Sequence, residues 1–197
     1  NSNYAGSIKY DTFDIDTIPA NKMSKIATLI TNDSYLVQGS IRSHLSVNKH
    51  ITEEDMYNAL EKVNLKDFVI ENGGLDYQLS CGASNLSGGQ KQRLLAAKAI
   101  LKDSYIYILD EAVSNIDDYS KKIVLDAFDS IKNGKIIVVI SHDLETITNS
   151  DNIYVLKDQQ IIEEGTHEQL IDKPSLYKKL FNDQQQLKEK FLAKEVE

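Results

Sequence analysis

The chain has 197 residues, and its 22 basic against 30 acidic side chains give a net formal charge of −8. That length suits one large domain or a domain with a subdomain, and the negative balance, with no basic run longer than two residues, argues against a nucleic-acid binder held by phosphate contacts. The single cysteine, Cys81, excludes an internal disulfide and suits a reducing compartment, and no apolar run approaches the roughly 20 residues of a membrane helix.

No leader segment is visible, and the chain does not open on Met, which suggests a fragment or a processed product. Residues 1–18 read as short strand material, with Ser7 to Tyr10 alternating and Phe13, Ile15 and Ile18 following. Pro19 to Lys25 reads as a short helix or turn. Ile26-Ala27-Thr28-Leu29-Ile30 is an apolar run of strand length, closed by the turn cluster Thr31-Asn32-Asp33-Ser34.

From Ile41 the period becomes helical. Thr52-Glu53-Glu54-Asp55 resembles a capping box, and Met56, Ala59, Leu60 and Val63 follow on one face. A loop runs through Asn72-Gly73-Gly74 to Leu86. A helix with little polar face then carries Leu94, Leu95, Ala97, Ala99, Ile100 and Leu101. Tyr105 to Leu109 is a continuous apolar strand ending in Asp110-Glu111. Ser120 to Ile131 is an amphipathic helix, closed by Gly134. Ile136 to Ile140 is a second apolar strand, ending in Ser141-His142-Asp143. Another helix starts at Leu144. Ile153 to Leu156 and Gln160 to Glu163 read as a hairpin across Lys157-Asp158-Gln159. Thr166 opens a helix, and the chain from Pro174 onward is helical and charged.

Two all-apolar strands joined by a helix predict a parallel sheet covered on both faces. Ligands of such sheets sit outside the carboxyl ends of the strands, where Asp110, Glu111 and His142 fall. A carboxylate at that end suits Mg²⁺, which keeps several waters and takes few protein ligands. A second, adjacent carboxylate suits orienting or deprotonating an attacking water. His44, His50 and His167 read as surface residues without metal-ligand spacing.

Leu86-Ser87-Gly88-Gly89-Gln90 combines an N-cap serine with two glycines before a helix. The unpaired N–H groups and the dipole at such a helix start favour a phosphate. The plain alternative is an ordinary capped helix with a Gly-rich lead-in.

This pentapeptide resembles the signature motif of the ATP-binding cassette (ABC) ATPases. Ile106-Tyr107-Ile108-Leu109-Asp110-Glu111 resembles that family's Walker B strand with its catalytic glutamate. Ser114-Asn115-Ile116-Asp117 resembles the D-loop, and Ser141-His142-Asp143 the switch histidine. The segment from Asn32 to Arg42 and the hairpin and helix from Ile153 to Leu170 are similar to the exporter type. The resemblance implies an α/β fold of the P-loop NTPase (RecA-like) class, a parallel sheet with an inserted helical signature subdomain. It implies residues 1–40 as N-terminal strands and Q-loop region, 41–100 as the helical subdomain, 101–165 as the ATPase core and 166–197 as C-terminal helices.

The resemblance also implies roles. Two cassettes close around ATP, so Ser87, Gly88, Gly89 and Gln90 face a nucleotide held by a partner cassette, with Asp117 at the seam. Asp110, assisted by Asn32, holds Mg²⁺; Glu111 polarises the attacking water; His142 contacts the γ-phosphate. Implied partners are a second nucleotide-binding domain and a transmembrane domain at the cytoplasmic face of a membrane, without nucleic acid. Three departures stand out. No Gly-x-x-x-x-Gly-Lys-[Ser/Thr] loop occurs, and aligning the Ser7 to Tyr10 strand places that loop upstream of Asn1. The expectation is therefore a shortened chain that hydrolyses ATP negligibly alone. Asn32 stands where the family has glutamine, and Cys81 where exporters carry a glutamate. The competing readings are a soluble cassette protein outside transport and a non-catalytic interaction domain of the same fold.

Overall fold

The computed structural model describes residues 6–194, with side chains through residue 190; the first five residues of the expected N-terminal strand segment lie outside the described residues. The chain divides into two units, Asn1–Ile140 and Ser141–Glu197.

The first unit opens with a small antiparallel pair, β1 (Lys9–Tyr10) and β2 (Phe13–Asp14). Helix α1 (Ala20–Ile26) leads directly into β3 (Ala27–Thr31). A short pair, β4 (Gly39–Ser40) with β5 (Gln78–Leu79), brackets α2 (Ile41–Leu45), α3 (Glu53–Lys62) and α4 (Lys66–Glu71). Thr52 caps α3 reciprocally with Asp55, as the sequence predicts. Then come α5 (Gly88–Leu101), β6 (Ile106–Asp110), α6 (Asp118–Asp129) and β7 (Ile136–Ile140). β3, β6 and β7 form a parallel sheet with β6 in the middle. Its register pairs Thr31 with Asp110 and Asp110 with Ile140, so three strand ends stand level.

One face of this sheet is deeply covered. Ile30, Tyr107 and Leu109 point into a core shared with Leu94, Ala97, Val124 and Phe128 of α5 and α6. Such burial is the main favourable term of the fold, about 1.5–3 kcal/mol for each fully buried large side chain. Thr28 and Ser104 place two hydroxyls in this interior, and they satisfy each other at 2.7 Å. The Tyr107 hydroxyl accepts from the Ser104 N–H at 3.0 Å. The opposite face departs from the expectation of cover on both sides. Leu29 is 60% exposed, Ile136 59%, Val138 40% and Ile140 48%. A continuous apolar run states that both faces of a strand favour burial, and among the described residues only one face obtains it.

Three boundaries also differ from the sequence reading. α5 begins at Gly88, ahead of Gln90, because the Ser87 cap admits both glycines into the first turn. α6 begins at Asp118, because Asp117 caps it. Gly134, at φ +71°, forms the tight turn into β7, well past the end of α6.

The second unit holds a hairpin, β8 (Ile153–Lys157) with β9 (Gln160–Gly165). Its turn residues Asp158 and Gln159 both have positive φ, the conformation that two-residue hairpin loops require. α7 (His167–Ile171) and α8 (Leu176–Lys194) follow. The Glu163 carboxylate accepts from the backbone N–H groups of Leu176 and Tyr177, which caps α8. The predicted helix at Leu144 is only a short 3-10 turn, Leu144–Ile147. Ile153, Leu170 and Tyr177 form this unit's own small core.

Candidate functional site

The three level strand ends organise the candidate chemistry. Asp110 closes β6 and is half-buried. Glu111 follows it in a left-handed backbone conformation at φ 50°, which costs a non-glycine residue about 1–2 kcal/mol. Three hydrogen bonds hold it there. Its N–H donates to the Ile140 carbonyl at 3.0 Å, and its carbonyl accepts from the Ser114 N–H at 3.1 Å and the Ser114 hydroxyl at 2.9 Å. Strain held at a carboxylate on a strand end is a recurring mark of functional sites.

Asn32 stands one residue past Thr31, the register partner of Asp110, at the exposed tip of a turn. That turn is pinned at its base. The Thr31 N–H donates to Ser34 Oγ at 3.0 Å, and the Ser34 N–H donates to the Thr31 carbonyl at 3.1 Å. Among the described residues no group of three or more His, Cys, Asp or Glu side chains is arranged around a cation. A single half-buried carboxylate beside an amide fits Mg²⁺ all the same, since that ion retains several waters.

The signature stretch forms a separate feature of the same unit. The Gln90 N–H donates to Ser87 Oγ at 3.1 Å and the Ser87 N–H donates to Gln90 Oε1 at 2.9 Å, a complete capping box. Ser87 and Gly88 are exposed, whereas Gly89 is buried. Asp117 caps α6 through the Ser120 N–H, which donates to Asp117 Oδ1 at 2.8 Å. That N–H and the Ser120 hydroxyl hold the Asp117 carboxyl below the usual carboxylate range. The two helix starts lie against each other. A side chain at Gly89 would meet Ser120 Oγ, with Asp117 Oδ2 at 2.7 Å and Ser120 Cβ at 2.8 Å.

Around this contact lies a cluster that the sequence reading missed. The Asn64 side-chain amide donates to the Tyr119 hydroxyl at 2.6 Å, Arg93 donates to the Asn64 carbonyl at 2.9 Å, and the Arg93 guanidinium lies 5.9 Å from the Tyr119 ring centre. The one readable signal was Ser120 three residues after Asp117, the spacing of a helix cap.

His142 is exposed and belongs to the second unit, where its carbonyl accepts from the Gln184 amide at 2.6 Å. Of the other histidines, His50 is exposed as expected, but two are not surface residues. His44 is 5% exposed, with Nε2 2.9 Å from the Val37 carbonyl. Burial pushes its imidazole below the ordinary value, against that hydrogen bond, and nearby Lys98 lowers it further. His167 is half-buried, with Nδ1 2.9 Å from the Tyr177 hydroxyl and its ring against Phe181. Cys81 is exposed and carries a free thiol. A groove of about 470 Å³ beside β3 is lined by Thr31, Asp33, Ser34, Tyr35, Leu95 and Lys98, and by none of the predicted site residues.

Comparison with known proteins agrees with the fold and with the family resemblance. The family described as "ABC transporter" matches residues 1–114. An uncharacterized ABC transporter ATP-binding protein of Haemophilus influenzae is 44% identical over 163 residues, 82% of this chain and 29% of the relative. An ATP-dependent lipid A-core flippase of Saccharophagus degradans is 35% identical over 187 residues, 92% of this chain and 31% of the relative. A solved bacterial Atm1-family ABC exporter with ATP bound superposes with a TM-score of 0.84 at 25% identity, over 92% of this chain and 32% of that one. This chain thus spans about a third or less of the length of the relatives it matches. No helix among the described residues is long and apolar enough to cross a membrane. With its α/β fold, its parallel sheet and the extent of the family match, the chain belongs to the ABC transporter family.

Proposed function

We propose that this chain is the nucleotide-binding part of an ABC exporter and supplies one side of an ATP site completed by a second cassette. The observation that carries this is Asp110-Glu111 at the carboxyl end of the middle strand, with Glu111 held in a strained left-handed conformation by Ile140 and Ser114. Asp110, with Asn32 one residue past the register partner of its strand end, would hold Mg²⁺. When bound, Mg²⁺ neutralises charge that develops on the transferring phosphoryl group. Glu111 orients the attacking water and accepts its proton. Ser87, Gly88, Gly89 and Gln90 present the first turn of α5 to the γ-phosphate of ATP carried by the partner cassette. Asp117 stands at the seam between the two, and His142 stabilises the charge of the γ-phosphate. These groups act by position and charge, which is most of what phosphoryl transfer needs.

The proposed partners are that second nucleotide-binding domain and a transmembrane domain, at the cytoplasmic face of a membrane. ATP turnover then drives transport. The 197-residue chain carries no Gly-x-x-x-x-Gly-Lys-[Ser/Thr] loop to hold the β- and γ-phosphates, so alone it turns over ATP negligibly. Purified chain is the test: no turnover above background is expected, and steady turnover abolished by Glu111→Gln contradicts the division of labour.

A further inference from the structure

The two glycines of the signature stretch have different surroundings. A Cβ at Gly88 meets nothing within 4 Å. A Cβ at Gly89 runs into Ser120 Oγ, and lies 2.8 Å from Ser120 Cβ and 2.7 Å from Asp117 Oδ2. Ser120 is only 2% exposed. Its backbone N–H and hydroxyl both hold the Asp117 carboxylate, so its side chain has no room to retreat and a bonding reason to stay. Asp117 cannot move aside without losing the cap of α6.

We propose that Ser120 is a positioning residue for the signature stretch: it fixes where the Gly89 turn of α5 lies against Asp117, and position 89 must be glycine because of this contact within the chain. Among the described residues nothing demands glycine at 88, so any requirement there has to come from the approach of a ligand. Ser120 thereby joins the starts of α5 and α6, and the signature stretch and Asp117 move as one piece. The consequence for turnover rests on the nucleotide-binding reading above; the consequence for packing does not.

The test is a rescue experiment in the full-length protein, reading both thermal unfolding and ATP turnover at saturating ATP. Gly89→Ala is expected to lower the unfolding temperature and to cut turnover by about tenfold or more, since a misplacement on the order of 1 Å is costly at a reacting centre. Adding Ser120→Gly opens the space, and the double variant is expected to recover much of the lost unfolding temperature, while its turnover rises no higher than that of Ser120→Ala, which lacks the same hydroxyl. Gly88→Ala leaves the unfolding temperature unchanged, and Ser120→Gly does not restore its turnover. Ser120→Ala keeps the bulk but removes the hydroxyl. It is expected to lower kcat per folded molecule with an unchanged KM for ATP, the pattern of a contact that matters only in the transition state.

If the double variant unfolds no higher than Gly89→Ala, the contact does not set the glycine and the proposal fails. If Ser120→Ala leaves kcat unmoved, Ser120 is structural only and the positioning role fails. A wild-type protein without ATP turnover defeats the nucleotide-binding reading instead, while the unfolding arm still decides the contact.

Discussion

The backbone N–H of Glu111 donates to the carbonyl of Ile140 at 3.0 Å, which carries the β6–β7 ladder one residue past Asp110. The chain turns immediately afterwards, and Glu111 takes up a φ of 50° to make that turn. The conformation suits glycine, so the glutamate is present at a cost to stability. Glu111→Gly is therefore expected to be more stable than Glu111→Ala by about 1 kcal/mol. Denaturant unfolding of the two variants checks this, and equal stabilities would show that the turn relaxes.

Asp117 makes the first turn of α6 pH-sensitive. Its folded-state pKa is depressed, chiefly by the Ser120 N–H and then by the Ser120 hydroxyl. Its contribution is thus complete above the ordinary Asp value of 3.8 and is lost as pH falls through the lower folded value. Asp117→Asn keeps a good capping residue without the titration. It is expected to flatten the acid limb of the stability curve, read as the unfolding temperature between pH 5 and pH 3, while Asp117→Ala lowers stability at every pH.

His44 acts in the neutral range. Burial lowers its folded-state pKa, so the neutral ring is favoured in the fold. Its contribution is complete above the ordinary value of 6.5 and declines as pH falls below it, because the unfolded chain then binds more protons. An imidazole titration followed by NMR is expected to give a midpoint under 6.5. A midpoint above 6.5 would mean that the Val37 hydrogen bond outweighs burial.

The two faces of the parallel sheet predict unequal responses to mutation. Leu109 is 1% exposed and Val138 40% exposed on neighbouring strands. Leu109→Ala is expected to cost about 2–5 kcal/mol. In this chain Val138→Ser is expected to stay within about 0.5 kcal/mol of wild type, as an exposed substitution does. Equal losses would show that the open face is covered in solution.

Local chemistry was the legible part of this chain. The Thr52 and Ser87 caps, the hairpin at Asp158 and the three strands all follow from patterns within a few residues, and the structure holds each of them. Ser87 at the start of α5 and Asp110 at the end of β6 follow from local pattern in the same way. What escaped the sequence depends on contacts between distant segments. Nothing near His44 announces its burial against the Val37 carbonyl. An apolar run such as Ile136 to Ile140 reads alike whether one face or both are covered. The meeting of Gly89 with Ser120 requires two helix starts to converge, and the left-handed Glu111 is a residue type that carries no turn signal.

The proposed function rests above all on Glu111 driving ATP hydrolysis. Its most direct test is ATP binding and turnover measured side by side for the full-length protein and its Glu111→Gln variant. The expected result is a turnover lower by about 100-fold or more, the scale of a lost general base, with ATP affinity essentially unchanged. Turnover that survives Glu111→Gln intact would contradict the assignment.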